Sequence, residues 1–141
     1  MLKMIIILET DYSDHREIIK LIRNEVFVKG QNVPESIEID GKDDDCKHVI
    51  LIVDGMPAGT GRIEKDGHIG RVAVLEEFRG NNYGTGIMEK LEETALKEGL
   101  DQVYLNSQKH AIQFYKKLGY RTVGEYFTEA GILHKKMIKG I

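Results

Sequence analysis

The sequence predicts an α/β fold of the α+β kind, in which a mixed, mostly antiparallel and twisted sheet of about seven strands carries helices on both faces. Short apolar segments rich in β-branched residues recur along the whole chain. Two connections between them, at Asp54-Gly55 and Asp66-Gly67, have the Asp-Gly pair typical of tight hairpins. Segments with apolar residues at helical spacing separate the other strands, so both kinds of element are present.

The composition is that of one globular domain, residues 1–141, with 41% hydrophobic and 30% charged side chains. A formal net charge of -3 argues against nucleic acid as a partner. The single cysteine, Cys46, excludes an intramolecular disulfide and fits a reducing cytoplasm. The apolar run 5–8 is too short for a signal peptide or a membrane span, so we expect a cytoplasmic protein with no membrane partner.

The first two elements are a strand and a helix. Residues 3–9 are apolar and β-branched, as expected of a strand. Asp14, followed three residues later by Glu17, predicts a capping box for a helix that ends near Val28. The apolar face of this helix consists of Ile18, Ile19, Ile22 and Val26. Residues 31–47 break the pattern and predict a loop with one irregular helical turn.

Three consecutive strands are predicted in the middle of the chain, over residues 48–53, 56–64 and 68–75. The first two are joined by Asp54-Gly55 and the last two by Lys65-Asp66-Gly67. Both connections are short enough to require antiparallel neighbours. This part of the sheet should therefore be an antiparallel meander.

Two further helices are predicted in the second half of the chain. The first begins at Gly84 and ends at Gly99, a residue suited to the position after a helix. Ser107 is the predicted N-cap of the second, which ends before Gly119. The apolar faces consist of Ile87, Met88, Leu91 and Ala95 in the first helix and of Ala111, Phe114, Tyr115 and Leu118 in the second.

The remaining strands are predicted at residues 102–106, 120–127 and 132–138. Because a helix connects residues 68–75 with residues 102–106, these two strands should form a parallel pair in an otherwise antiparallel sheet. Sheets of this kind bind ligands in the crevice beyond the carboxyl ends of parallel strands. The sequence thus predicts a ligand site where residues 68–75 end.

A turn rich in glycine and asparagine, Arg79-Gly80-Asn81-Asn82-Tyr83-Gly84-Thr85-Gly86, lies at that point. Glycine and asparagine tolerate positive φ, so consecutive N–H groups of the turn and of the new helix can converge on an anion such as a diphosphate. The Lys of a P-loop and the third glycine of a dinucleotide-binding turn are both missing. A glycine-rich turn without any ligand is the alternative interpretation.

The segment Arg79-Gly80-Asn81-Asn82-Tyr83-Gly84 resembles the acetyl-CoA loop of the GNAT superfamily of N-acetyltransferases, Arg/Gln-x-x-Gly-x-Gly/Ala. Asn82 departs from it by replacing the usual first glycine, and we expect it to adopt the left-handed conformation. The resemblance covers almost the whole chain and implies the GNAT fold, with the sheet splayed between its fourth and fifth strands. It also implies acetyl-CoA as cosubstrate, no metal, and a coenzyme site formed by Val72, Ala73, Val74, Arg79, Gly80, Asn81, Asn82, Tyr83, Gly84, Thr85, Gln108 and, as a packing residue, Phe114.

A second segment, 111–120, looks like the GNAT pattern Ala-x-x-Phe/Leu-Tyr-x-x-x-Gly-Phe. In that family the tyrosine, here Tyr115, is the general acid that protonates the departing CoA thiolate. A phenol is protonated at neutral pH and can donate to a developing sulfur anion. The alternative is that Phe114 and Tyr115 only fill the core. The family often has an asparagine where this chain has Gln108, whose amide could contact the pantetheine arm.

The end of the chain, with Gly131-Ile132-Leu133-His134-Lys135-Lys136-Met137, resembles a GNAT subset that includes glyphosate N-acetyltransferase and ElaA-like proteins. The resemblance implies His134 as the catalytic base, since acetyl transfer needs a neutral amine and an imidazole can take up its proton. A structural histidine is the alternative, with a water as base.

The segment from Val26 to His48 and the later Gly59-Thr60-Gly61-Arg62 also resemble the ElaA-like pattern, in which this region forms the wall of the acceptor pocket. Its carboxylates could attract a cationic amine, or form a solvated charged loop. They are Glu35, Glu38, Asp40, Asp43, Asp44 and Asp45. Together with Cys46 and His48 they match no standard metal-binding spacing.

The function implied by the resemblance is transfer of an acetyl group from acetyl-CoA to a primary amine of a small molecule. The amine attacks directly in a ternary complex, and no acyl-enzyme forms on Cys46. Two other functions stay open, a non-catalytic acyl-CoA-binding regulatory module and an acetyltransferase of protein lysines or N-termini. A homodimer is possible.

Overall fold

The computed structural model of the protein describes residues 2–141. Over these residues seven strands form two sheets, and every pairing inside a sheet is antiparallel. The first sheet has the order β1-β2-β3-β4, with β1 (Ile5–Asp11), β2 (Lys47–Val53), β3 (Met56–Ile63) and β4 (Ile69–Val74). The second has the order β5-β7-β6, with β5 (Gln102–Gln108), β6 (Arg121–Glu129) and β7 (Ile132–Gly140). The predicted α+β fold with seven mostly antiparallel strands is confirmed, but the strands form two sheets, and the predicted parallel pair is reduced to one bridge.

The described part of the chain also contains four α-helices, α1 (Tyr12–Arg23), α2 (Glu35–Glu38), α3 (Tyr83–Lys97) and α4 (Ile112–Lys117). A π-helical segment, Asn24–Lys29, continues α1 by more than one turn, which agrees with the predicted end near Val28. The helical turn predicted within residues 31–47 is α2, and a short 3-10 turn, Asp43–Asp45, follows it.

Both predicted helix caps are wrong. The helix α1 starts at Tyr12, so Asp14 lies inside its first turn, and no side chain caps it. Ser107 lies within β5, and its hydroxyl donates to the carbonyl of Gln108. The strand runs two residues further than predicted because Gln108 still pairs with His134 of β7. Long-range pairing overrides the local capping preference of the serine.

The strands β4 and β5 touch at a single parallel bridge, between His68 and Tyr104. There the Tyr104 N–H donates to the Gly67 carbonyl at 3.0 Å. Gly67 has φ +99°, and a Cβ would lie 2.8 Å from the carbonyl oxygen of Gln102, so only glycine fits this close approach. Beyond the bridge no ladder joins the two sheets in the part of the chain described. The predicted splay between the fourth and fifth strands is confirmed.

The main core lies between α3 and the two sheets. Its α3 members Ile87, Met88, Leu91 and Ala95 are fully buried, as the predicted apolar face requires. The opposite face of the first sheet is covered by α1, whose Ile22 packs against Ala73 of β4. Neighbouring residues of a strand point to opposite faces, and Val72 accordingly packs with the α3 core. Helices on both faces were predicted and are confirmed.

Glycines allow the close contact between α3 and the sheet. A Cβ on Gly59 of β3 would lie 2.9 Å from both the carbonyl oxygen of Ala73 and Cδ1 of Ile87. We expect Gly59→Ala to lower the free energy of unfolding by about 1–3 kcal/mol, because the helix or β4 must shift. Gly70→Ala on β4 is the matched control, since no atom lies within 4 Å of its Cβ position. Urea denaturation measures both, and equal stabilities would contradict the expected result.

Candidate functional site

The divergence of β4 and β5 opens a cleft with a cavity of about 690 Å³. Its walls come from β4, β5 and β7, from α4 and from the segment after α1. The predicted site residues that line it are Val72, Val74, Arg79, Gln108, Tyr115 and His134. Both predicted catalytic side chains thus face one cavity. Residues 80–85 and Phe114 are not among the lining residues that the structure describes.

The turn before α3 has the predicted conformation. Asn82 is the N-cap of α3 with φ 62° and ψ 19°, the left-handed conformation expected of it, and Gly80 has φ +82°. Within residues 2–141, the N–H groups of residues 80–85 have no hydrogen-bond acceptor, and Gly86 is the first to bond, to the Asn82 carbonyl. Such a row of free donors at a helix N-terminus is an anion-binding arrangement.

Side chains attach this turn to the end of β4. The Asn81 amide donates to the carbonyls of Phe78 and Arg79, at 3.0 and 3.2 Å. The Arg79 Nε donates to the Val74 carbonyl at 2.9 Å. The donors are therefore held in position by the fold itself. Phe114 packs against the start of α3, where a Cβ on Gly84 would lie 3.3 Å from its Cζ.

The backbone of β4 presents hydrogen-bonding groups to the cleft. Leu75 donates to the Ala58 carbonyl, and Ala73 stands opposite Thr60 in the register with β3. In an antiparallel ladder the bonding direction alternates, so Ala73 faces β3 while Val72 and Val74 face away from it, into the cleft. Of the three predicted strand residues, Val72 and Val74 present backbone groups to the cleft, and the Val74 carbonyl already accepts from Arg79. Ala73 contributes packing against α1 instead.

Tyr115 lies on α4 with its ring edge-on to the rings of Phe114 and Tyr120, at centroid distances of 5.0 and 5.8 Å. Burial raises the pKa of Tyr115 to about 12. Its side chain is among those that line the cavity. The phenol is thus protonated at neutral pH and is available as a donor in the cavity.

His134 lies on β7 and is 6% exposed. Its Nδ1 is 2.6 Å from the carbonyl oxygen of Ile132. A carbonyl can only accept, so Nδ1 carries the proton and Nε2 has the lone pair in the neutral ring. The Nε2 atom is 3.7 Å from a carboxylate oxygen of Glu129, and the ring stacks on Phe127. This tautomer leaves Nε2 able to take up a proton.

Gln108 already has a partner on the other side of the cleft. Its amide donates to Gln31 at 2.8 Å and accepts from Gln31 at 3.1 Å. The pair joins β5 to the segment that follows the π-helical turn. The sequence placed Gln31 in the segment predicted to form the wall of the acceptor pocket, but not its pairing with Gln108, because nothing local marks a partner 77 positions away. Any contact of Gln108 with a ligand would have to open this pair or use its remaining hydrogen-bonding capacity.

The acidic segment between α2 and β2 is bound to arginines. Asp43 Oδ1 accepts from Arg23 at 2.6 Å and from Arg62 at 2.9 Å, and Glu38 accepts from Arg23 at 2.7 Å. Arg71 of β4 pairs with Glu38, with 2.7 Å between its Nε and a carboxylate oxygen. The φ of Arg71 is 52°, and the residue lies in a bulge where the register of β4 with β3 shifts. This backbone conformation allows the side chain to reach Glu38. We call Arg23, Glu38, Asp40, Asp43, Arg62 and Arg71 the arginine–carboxylate network.

This network corrects the interpretation of two carboxylates of the acidic loop, Glu38 and Asp43, whereas Glu35, Asp40, Asp44 and Asp45 are exposed. Glu38 and Asp43 are 6% and 5% exposed, so they are neither solvated nor free to attract an amine. Asp40, bonded to Arg62, lines the cleft. Burial favours a higher pKa for Asp40 and for Asp43, but the arginine hydrogen bonds outweigh it and hold both pKa values below the ordinary range.

Cys46 is 4% exposed, and burial raises the pKa of its thiol to about 11. A thiol of this kind is a poor nucleophile at neutral pH, which agrees with the expectation that it carries no acyl group. Over residues 2–141 no helix has both the length and the apolar character needed to cross a membrane. The same residues contain no group of three or more His, Cys, Asp or Glu side chains that could hold a metal ion.

Residues 9–141 match the family described as the acetyltransferase (GNAT) domain. The N-acetyltransferase YjcF of Bacillus subtilis is 42% identical over 122 residues, covering 84% of this chain and 87% of YjcF. Escherichia coli ElaA is 35% identical over 129 residues, 85% of this chain and 84% of ElaA.

Two solved structures are similar along nearly the whole chain. The crystal structure of Escherichia coli ElaA has a TM-score of 0.85 with 31% identity and covers 95% of this chain and 99% of its own. An acyl-CoA N-acyltransferase from Pseudomonas aeruginosa has a TM-score of 0.86 with 29% identity, over 96% and 99% of the two chains. The similarity therefore includes both sheets and the cleft between them.

Proposed function

This chain belongs to the GNAT family of acyl-CoA-dependent N-acetyltransferases, and on that premise we propose that it acetylates a primary amine of a small molecule. Acetyl-CoA is the donor, and the amine attacks the thioester directly while both substrates are bound. The observation that carries this proposal is that Tyr115 and His134 line one cavity, next to a row of free backbone donors.

The coenzyme is proposed to lie along β4 and over the start of α3. The free N–H groups of residues 80–85 bind the diphosphate, where the helix dipole also favours negative charge. The pantetheine amides pair with the backbone of Val72 and Val74 as an additional strand. The Val74 N–H donates to the thioester carbonyl and stabilises the oxyanion that forms there.

The reaction then needs one base and one acid. The neutral amine attacks the thioester carbon, and its proton passes to Nε2 of His134, the ring nitrogen with the lone pair. When the tetrahedral intermediate collapses, the carbon–sulfur bond breaks and the Tyr115 hydroxyl gives its proton to the thiolate. The two protons balance when solvent returns one to Tyr115 and takes one from His134.

A free-thiol assay with acetyl-CoA and a panel of amines, amino acids, aminoglycosides and lysine peptides tests this function. We expect CoA release with a small-molecule amine and none with peptides. Release only with peptides would establish protein acetylation instead. If calorimetry shows that the protein binds acetyl-CoA but no acceptor leads to release of CoA in the thiol assay, the function is that of a binding module.

Asn82→Asp tests the diphosphate site separately. Aspartate also tolerates the left-handed conformation, and its charge at the N-terminus of α3 should stabilise the free protein by about 0.3–1 kcal/mol. The same charge repels the diphosphate by roughly 1–4 kcal/mol. We therefore expect about tenfold weaker binding of CoA in calorimetry, with a slightly raised melting temperature. Asn82→Gly, which keeps the conformation without the charge, is the control and should bind CoA as wild type does.

A further inference from the structure

The outer edge of the first sheet is formed by β1, and it is unprotected. In the order β1-β2-β3-β4, no strand of residues 2–141 pairs with the far side of β1. Its register with β2 is continuous from Ile5 to Asp11, without a bulge. Ile5, Ile6 and Leu8 are 48%, 45% and 42% exposed. Open edges with apolar side chains on both faces promote pairing with another strand.

The outer edge of the second sheet, β6, is interrupted. Its register with β7 shifts between Val123 and Phe127, and Gly124 has φ +77°. A bulge of this kind twists an edge and prevents a further strand from pairing along it. The contrast makes β1 the edge that can accept a partner strand.

The backbone of β1 points outward at alternate residues. The Asp54 N–H donates to the Met4 carbonyl at 2.8 Å, and Met4 stands opposite Asp54 when the register of β1 with β2 is extended by one residue. Met4, Ile6 and Leu8 therefore bond towards β2. By the same alternation, Ile5, Ile7 and Glu9 direct their N–H and carbonyl groups to the open edge.

We propose that β1 pairs antiparallel with β1 of a second copy of this chain, about a two-fold axis that passes through Ile6. In this register Ile6 faces the partner's Ile6 in a non-hydrogen-bonded pair, and Ile5 exchanges hydrogen bonds with the partner's Ile7. Met4 then lies opposite the partner's Leu8, and Lys3 lies opposite the partner's Glu9.

The occupant is a second copy because the strand is complementary to itself. Residues 4–8 are all apolar and stay opposite one another in this register, and the charges at positions 3 and 9 have opposite sign. An axis at Ile7 would instead place Ile5 opposite the partner's Glu9. A two-fold axis between two residues would pair the outward N–H and carbonyl groups with residues of the partner strand whose own groups already bond to β2. An isologous contact of this kind closes on itself, as two-fold dimers do.

The dimer leaves both active sites open. The strands β1 and β4 are the two opposite edges of one sheet, so pairing through β1 does not cover the cleft beside β4. Variants that separate the copies through β1 should therefore keep the activity of the wild type, whatever the acceptor.

The first test is the mass in solution, measured by light scattering and sedimentation over a concentration series. We expect the wild type to reach twice the 16.0 kDa of one chain. Ile6→Lys places two ammonium groups opposite each other at the axis and should give monomers. Val123→Lys on β6 is the matched control and should stay dimeric. A monomeric wild type, or a dimer lost only in Val123→Lys, overturns the proposal.

The second test determines the register of the two strands by cysteine cross-linking. The native Cys46 should not form a cross-link, because it is buried. Ile6→Cys puts two thiols in a non-hydrogen-bonded pair, with Cα atoms about 4.5 Å apart, where a disulfide can form. Leu8→Cys puts them four residues apart along the strands, about 13 Å, which is too far. Under mild oxidation we expect a covalent dimer of Ile6→Cys only. Cross-linking of Leu8→Cys in place of Ile6→Cys, or of neither, contradicts the proposed pairing.

Discussion

Asp43→Asn is expected to lower the free energy of unfolding by about 3–5 kcal/mol. One oxygen of Asp43 accepts hydrogen bonds from both Arg23 and Arg62, and the side chains of all three residues are at most 6% exposed. A neutral amide leaves the three guanidinium groups of the network with only two carboxylates, those of Glu38 and Asp40. Removing one partner of a buried ion pair costs more than the pair itself contributes, because the remaining charge stays away from water.

Asp44→Asn is the matched control, since Asp44 is exposed and adjacent in the chain. It removes the same charge and should change stability by no more than about 0.5 kcal/mol. Urea denaturation at neutral pH measures both variants. If the free energy of unfolding falls as little for Asp43→Asn as for Asp44→Asn, then Glu38 and Asp40 balance the charges of the arginines without Asp43.

The network also sets the response to acid. Because the pKa values of Asp40 and Asp43 are lowered in the folded protein, the unfolded chain binds more protons once the pH falls below about 4. The stability that these carboxylates contribute is present above that pH and is lost as the pH falls towards their folded values. The unfolding free energy of Asp43→Asn should fall less steeply over this range than that of wild type.

Most strands and helices could be predicted because their signals are local. The Asp-Gly pairs at positions 54 and 66 specify two hairpins, and the apolar stripe that begins at Ile87 specifies α3. Of the two wrong caps, Ser107 fails for a reason that is not local. Ser107 has the chemistry of a cap, but the pairing of β5 with β7 keeps it in the strand.

The candidate site also has features that depend on local sequence and features that depend on long-range contacts. The conformation of Asn82 could be predicted, since it depends on the residue itself and its neighbours. The pairs of Arg23 with Asp43 and of Gln31 with Gln108 join residues 20 and 77 positions apart. Such pairs follow from the packing of α1 and its loop against the two sheets. A single sequence offers many carboxylates for each arginine, so the partners become known only with the fold.

Tyr115→Phe is expected to lower the rate of CoA release by about 100-fold while the affinity for CoA stays unchanged. The half-buried phenol lines the cleft and has a pKa of about 12, so it is protonated and able to donate throughout the neutral range. The expected fall in rate is at the lower end of the range for general acid catalysis. The reason is that a thiol with a pKa of about 8.5 can leave as a thiolate with little help from an acid. Steady-state kinetics and calorimetry with CoA measure the two quantities.

Tyr120→Phe separates this chemical effect from loss of packing. Its ring contacts that of Tyr115, but its hydroxyl donates to Glu92 at 2.8 Å, which raises the stability of the fold rather than serving the cleft. We expect Tyr120→Phe to lower the free energy of unfolding by about 1.5–3 kcal/mol with little change in rate. Tyr115→Phe should show the reverse, since the Tyr115 side chain lines the cavity. A similar fall in rate for both variants would assign Tyr115 to packing, because one buried hydroxyl would then matter no more to the reaction than the other.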